Sequence, residues 1–376
     1  MEGLPSRHHD DVDDVRRRTT RRATLSRKEP AVSHITTFYE PGSDTGGWRG
    51  TRVAAVQVAP VLLDLAANAA RSAAAITAAV LDGADVVVLP ELVTSGYVLA
   101  DVHEARSVAI PATSPVLAGW AEACSARPGA VVVGGFLELA EDGRLHNSAA
   151  VVDATGVRAV YRKVHLWDAE RHLFSAGDAP PPVVDTAHGR VAALICYDLG
   201  FPEWPRTAAL AGADLIAVPT NWAAGYRPPG ERPIGQVAAM GAARANHVVV
   251  ACSDRTGVER GVEWSEGSAV VGAEGWVLSE DVAGEGVAWA VVDLQAVRDR
   301  RLGRHGHLWG DRRPDLYGAL TAPLLPHADE AGVAHVPAVR EPVAPQNGPE
   351  VGPEVGPEVG AVVGVEVAAA VPAPVE

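Results

Sequence analysis

The sequence predicts an α/β fold in which sheet lies between layers of helix. Two observations carry that expectation. Short β-branched runs alternate with Ala-rich stretches of helical length. The runs are also apolar at successive positions, which marks strands covered on both faces. In chain order, Arg52–Val58 reads as a strand and Leu65–Leu81 as a helix; the valine run of Asp85–Leu89 is a strand closed by Pro90. A helix over Ser114–Cys124 follows, then strands at Ala130–Gly134, Ala149–Asp153, Ala159–Lys163 and Val191–Ile195. A helix begins after Pro202, since proline is tolerated in a first helical turn. Leu215–Pro219 is a strand, Ile234–Asn246 a helix, and Val248–Ser253, Ser268–Gly272 and Val287–Val292 are strands. Periodicity alone leaves the number of sheets open.

The folded domain is expected over residues 49–325. Residues 1–48 mix charge runs (His8 to Asp14, then Arg16 to Arg22) with Ser and Thr and lack apolar periodicity, so they read as a disordered, solvated extension. Residues 326–376 form a tail of Pro, Val, Glu, Gly and Ala with tandem Gly-Pro-Glu-Val units, too poor in large side chains to build a core. A chain of 376 residues that is 47% hydrophobic can bury a large core without disulfides. Its three cysteines, Cys124, Cys196 and Cys252, lack CxxC spacing and point to free thiols in a reducing compartment. A net charge of -15 argues against nucleic acid as a partner, because phosphate binding needs clustered Lys and Arg. No apolar run approaches the length of a membrane span, and charges stand where a signal peptide would be apolar. No membrane association is therefore expected, and the expected location is cytoplasmic.

Three segments share one design, a buried strand that ends on a chemically capable side chain, which is where sites collect in α/β proteins. Val86-Val87-Val88-Leu89-Pro90-Glu91 places a carboxylate just past a strand, where partial burial raises its pKa and suits it to carry a proton. Taken alone, Glu91 also fits a cap or turn residue. In Val160-Tyr161-Arg162-Lys163-Val164-His165, alternation puts Lys163 and His165 on one face. Lys163 then either holds negative charge in a pocket or snorkels to water, and His165 reads as a packing or hydrogen-bonding neighbour. Val191-Ala192-Ala193-Leu194-Ile195 runs into Cys196 at a strand-to-helix bend. A lone buried cysteine is as readily a small apolar residue, the reading taken for Cys124 and Cys252. The pairs His305-x-His307 and His8-His9 are too sparse for zinc, so neither metal nor cofactor is expected.

Together these segments resemble the nitrilase superfamily, or carbon-nitrogen hydrolases, in which Glu, Lys and Cys occupy such strand ends in this order. The likeness rests on Leu89-Pro90-Glu91-Leu92 with Gly96-Tyr97, on Arg162-Lys163-Val164-His165-Leu166, and on Cys196-Tyr197-Asp198 with Phe201-Pro202-Glu203. Gly135-Phe136-Leu137-Glu138, His146-Asn147-Ser148, Phe174 with Gly177-Asp178, and Pro219-Thr220-Asn221-Trp222 support it. It implies a four-layer α-β-β-α sandwich, face-to-face pairing of subunits into a homodimer or larger assembly, and a small-molecule amide substrate. It further implies catalytic roles for Glu91, Lys163 and Cys196, and a second glutamate at Glu170, which otherwise reads as a surface acid. Tyr197, through its N–H, would help hold the oxyanion; Tyr97, Asn221 and Trp222 are candidate pocket walls that fit the core as well.

Departures qualify the likeness. Nitrile-cleaving members usually follow the cysteine with Trp-Glu, whereas Tyr197-Asp198 stands here, which favours amides. The arginines that hold a substrate carboxylate in carbamoyl-D-amino-acid hydrolases are missing after Cys196. The usual Arg-Ala-x-Glu-Asn helix end reads Ala242-Ala243-Arg244-Ala245-Asn246, and the usual Gly-Gly-Ser reads Glu266-Gly267-Ser268. The expected activity is amide hydrolysis through a Cys196 thioester. The competing expectations are an N-carbamoyl amine hydrolase and a catalytically silent scaffold of the same fold.

Overall fold

The structure, a computed structural model, describes residues 50–322; the two expected tails lie outside the described residues. In chain order the elements are β1 (Thr51–Gln57), α1 (Leu65–Leu81), β2 (Val86–Val88), α2 (Val102–Val108), α3 (Pro115–Cys124), β3 (Val131–Leu139), β4 (Leu145–Asp153), β5 (Gly156–Arg162) and α4 (Glu170–Leu173). There follow β6 (Val183–Asp185), β7 (Arg190–Ala193), α5 (Glu203–Leu210), β8 (Leu215–Pro219), α6 (Ile234–Asn246) and β9 (Val249–Ser253). The last are β10 (Val258–Glu259), β11 (Val262–Glu263), β12 (Ala269–Val271), β13 (Gly286–Val292), β14 (Arg301–Leu302) and β15 (Gly306–His307).

A six-stranded sheet of order β13-β1-β2-β3-β4-β5 stacks on a five-stranded sheet of order β12-β9-β8-β7-β6. Each strand divides its side chains between two cores, as a period of two requires. Val53, Val86, Val131 and Val151 of the first sheet meet Val191, Leu215, Val249 and Val270 of the second between the sheets. Their neighbours Ala54, Val87, Val132 and Val152 pack under Ile76 and Ala79 of α1 and Leu117 and Trp120 of α3. On the far side Ala192, Ile216 and Val250 pack under Ala208 of α5 and Ala239 and Ala243 of α6. The result is the four-layer α-β-β-α sandwich, which covers both faces of the central strands; the edge strand β5, expected to be buried, is instead largely half-buried or exposed.

The helices begin where local chemistry allows. Asp64 caps α1 by accepting the Ala67 N–H, and Ser114 caps α3 ahead of Pro115. β3 runs five residues past the expected end at Gly134, because the glycine pair lies inside the strand. A Cβ at Gly134 would sit 2.8 Å from the Trp120 ring, so that glycine is a packing requirement rather than a stop. α2, β6 and the two-residue strands were not expected; they are short and carry little periodicity. Among the described residues no helix is long and apolar enough to cross a membrane.

Candidate active site

The turn after β2 lies directly on β3. Gly135 N–H donates to Pro90 O and Val93 N–H to Gly135 O, each at 3.1 Å. Only glycine permits the approach, since a Cβ at Gly135 would stand 2.5 Å from Glu91 Cα. From the turn after β8, Asn221 Nδ2 donates to the Glu91 carbonyl at 2.8 Å and pins the turn from the other sheet. The Glu91 side chain is thereby sent inward and is fully buried.

Lys163 lies one residue past β5, its N–H donating to Asn147 O at 2.8 Å. Its buried Nζ donates to Glu91 Oε1 at 2.7 Å and to Glu170 Oε1 at 2.8 Å. Glu170 opens α4; its Oε2 accepts the Trp167 N–H at 2.8 Å and its Oε1 accepts the Tyr97 hydroxyl at 2.9 Å. Asn147 Nδ2, from β4, braces both carboxylates, at 2.7 Å from Glu91 Oε1 and 3.1 Å from Glu170 Oε1.

An ammonium thus sits between two carboxylates in the interior, where any one of these charges alone would be costly. Burial works against the Lys163 charge, yet Glu91 and Glu170 together overcome it and raise its pKa. Burial pushes Glu91 up to about 7 against the pull of Lys163, with Glu170 adding to the rise. Glu91 Oε2 is buried with no hydrogen-bond partner. One oxygen is therefore held while the other has no partner.

Cys196 follows β7 as the first residue of a 3-10 turn, Cys196–Gly200, and takes φ 46°. A non-glycine residue in that region costs about 1–2 kcal/mol, so something must enforce it. Asp198, wholly buried, does so: Oδ2 accepts the Ile195 N–H at 2.9 Å and the Tyr161 hydroxyl at 2.7 Å. Its Oδ1 pairs with His165 Nδ1 at 2.7 Å, and the His165 ring stacks on Phe201 at 3.8 Å. Burial and the Glu91 carboxylate raise the Cys196 thiol well above its ordinary pKa, while Lys163, the Thr220 hydroxyl and the Asn221 N–H pull it down. Glu91 and Lys163 thus bear on the same sulfur with opposite effects.

Of the four expected pocket residues, Tyr97 bonds to Glu170, Asn221 to the Glu91 carbonyl, Tyr197 follows Cys196 directly, and Trp222 follows Asn221. The Tyr197 ring meets Trp167 edge-on at 4.7 Å, and its N–H lies in the first turn of the 3-10 segment, where donors have no internal partner. Trp222 fills a slot cut by two glycines: a Cβ would lie 2.2 Å from its ring at Gly235 and 2.9 Å at Gly267. Asn147 enters the sequence reading only within the supporting match His146-Asn147-Ser148, without a role, although a polar triplet in an apolar strand is a signal that points to one.

Asp254, past β9, had no comparable signal. It accepts the N–H groups of Trp222 (3.0 Å), Arg255 (2.9 Å) and Gly267 (2.8 Å) and the Ser265 hydroxyl (3.0 Å), and burial pushes it up to about 6. Glu266, where Gly-Gly-Ser would place glycine, holds φ 52° with its carboxylate bound to the Thr256 hydroxyl and the Gly284 N–H. An open depression of about 630 Å³ lined by Thr113, Glu138, Asp142, Arg162 and Asp178 contains none of Glu91, Lys163 or Cys196. Among the described residues no cluster of three or more His, Cys, Asp or Glu has metal-site geometry.

The family model described as carbon-nitrogen hydrolase matches residues 52–302. A protein named nitrilase from Pyrococcus abyssi is 34% identical over 268 residues, covering 71% of this chain and 98% of that one. An (R)-stereoselective amidase from a Pseudomonas species is 34% identical over 271 residues, covering 72% and 94%. Among solved structures, an amidase from Nesterenkonia sp. AN1 with acrylamide added to its active-site cysteine superposes with a TM-score of 0.56 at 27% identity, covering 67% of this chain and 96% of that one.

Proposed function

The chain belongs to the carbon-nitrogen hydrolase family of the nitrilase superfamily, and within it we propose that this protein hydrolyses small aliphatic or amino-acid-type amides to acid and ammonia through a thioester on Cys196. The observation that carries the reading is the division of labour on Glu91: Oε1 is tied to Lys163 and Asn147, and Oε2 is buried and bare. A thiol raised well above its ordinary pKa is not a nucleophile until a base removes its proton. Glu91, poised at about 7, takes that proton as sulfur attacks the amide carbon.

Negative charge then gathers on the carbonyl oxygen. The Lys163 ammonium and the Tyr197 N–H are assigned as its donors, each worth about 3 to 4 kcal/mol by comparison with other oxyanion holes. Protonated Glu91 returns its proton to the leaving nitrogen, and ammonia departs. The same carboxylate next takes a proton from water, hydroxide attacks the thioester, and the acid leaves as the thiol is restored. Glu170 and Asn147 keep Lys163 and Glu91 in place throughout.

Amide rather than nitrile is favoured by Tyr197-Asp198 after the nucleophile; the names of relatives divide between nitrilase and amidase. Cys196→Ala is the direct test: it is expected to fold and to release no ammonia, and the acyl mass captured on the wild-type protein should vanish. Turnover surviving in that variant would remove Cys196 from the mechanism. A panel of aliphatic amides, ω-amino amides and N-carbamoyl amines, with carbon dioxide measured beside ammonia, separates amidase from carbamoyl hydrolase. Assembly into a homodimer or larger belongs to the same reading and is tested by sedimentation.

A further inference from the structure

A buried ion pair outside the catalytic group is left without a task by the mechanism above. Glu259, in β10, is 5% exposed, and Arg255, beyond β9, is 1% exposed. Arg255 Nη1 donates to Glu259 Oε2 at 2.8 Å, and Arg255 Nη2 donates to Pro60 O at 3.2 Å. The guanidinium also lies 4.6 Å over the Trp264 ring, whose edge meets Tyr97 at 5.6 Å. The other Glu259 oxygen, Oε1, accepts two successive backbone N–H groups, Tyr97 at 2.7 Å and Val98 at 2.6 Å. Gly96, at φ 81°, makes room for it: a Cβ there would stand 2.8 Å from Glu259 Oε2.

A carboxylate held by a fixed guanidinium and gripping two adjacent amides sets the position of a short backbone segment. The side chain leaving that segment is Tyr97, whose hydroxyl donates to Glu170 Oε1, the oxygen that also receives Lys163. We propose that Glu259, anchored by Arg255, is a positioning residue that acts through the Tyr97 hydroxyl on Glu170 and thereby places the Lys163 ammonium. The proposal rests on the amidase reading for its kinetic consequence, though not for its geometry.

The test is a double-mutant cycle of Glu259→Gln with Tyr97→Phe, with Glu259→Asp as a second variant. Aspartate keeps a charge opposite Arg255 while withdrawing the oxygen from the two amides, so it serves if glutamine does not fold. Three readouts are taken on folded protein: kcat and KM for a small amide, the pH profile of kcat/KM, and the pH dependence of Cys196 alkylation by iodoacetamide. Either Glu259 variant is expected to lower kcat about tenfold or more, the size of one lost hydrogen bond to a charged group, and to displace both pH profiles. In the Tyr97→Phe background the same change should have no further kinetic effect, although thermal stability still falls.

A stability loss with kcat and both pH profiles unchanged would overturn the proposal, as would kinetic losses that multiply in the double variant. If the wild type turns over no amide, the amidase reading fails by itself, and the alkylation profiles still decide the role of Glu259.

Discussion

Removing the Asn147 amide should move the pH at which the enzyme switches on. Asn147 Nδ2 donates to Glu91 Oε1 at 2.7 Å and is wholly buried. Asn147→Ala deletes a donor that stabilises the ionised carboxylate more strongly than the protonated one. A hydrogen bond to a charged acceptor contributes about 1.5–3 kcal/mol, and the lower figure applies where water can enter the vacated space. At about 1.4 kcal/mol per pKa unit, Glu91 should rise by about one unit, from about 7 to about 8. A base works when ionised, so activity is present above this pKa and lost below it, and the acid limb of kcat/KM moves upward with it. At pH 7 the ionised fraction falls from about one half to about one tenth, a loss of about fivefold that should recover in alkaline buffer. The assay is ammonia release against pH at substrate well below KM, with circular dichroism to verify the fold. A limb left where the wild type has it, with the same proportional loss at every pH, would refute the assignment of Asn147 to the protonation of Glu91.

Asp254 binds its proton more tightly folded than unfolded, since burial raises it from 3.8 to about 6. Its contribution is therefore greatest at low pH and is lost as pH climbs through about 6, a change of about 3 kcal/mol at most; the stability difference between wild type and Asp254→Asn in urea should follow that course, and a flat difference would contradict it. Gly135→Ala pushes a methyl group toward Glu91 Cα, 2.5 Å away, and should cost about 1–3 kcal/mol of stability together with about a hundredfold in kcat, checked by thermal melts and initial rates. Of the three cysteines, Cys124 and Cys252 are 0% exposed, whereas Cys196 is 8% exposed and has the Glu91 carboxylate beside it, so mass spectrometry after iodoacetamide should find the label on Cys196 alone until denaturant is added.

Much of the frame was readable from residue order. Uninterrupted valine and alanine runs demanded cover on both faces, and the two sheets with their outer helices supply it. Glu91 and Cys196 stood out because each follows such a run, Lys163 because it closes the mixed strand Val160-Tyr161-Arg162, and Glu170 was reached through the family likeness alone. What escaped depends on contacts between distant segments. Asn147 sits mid-strand, and its partners Glu91 and Glu170 are 56 and 23 residues away. Asp254 reads as one acid among many until the Trp222 turn and the Gly267 loop converge on it. The extension of β3 through Gly134-Gly135 was hidden by a residue type that usually interrupts strands, since its reason lies in Trp120 and Glu91 across the fold.

On the proposed mechanism the reacting groups straddle a seam. Glu91, Asn147 and Lys163 ride on one sheet, Cys196 and Asn221 on the other, and what aligns them is the apolar layer between. Sliding one sheet past its mate by an ångström would part sulfur from its base without breaking a single strand pairing. Turnover is then a vernier for inter-sheet registry: trimming Val133 or Leu215 in the layer between the sheets should blunt catalysis while most of the molecule still melts as one.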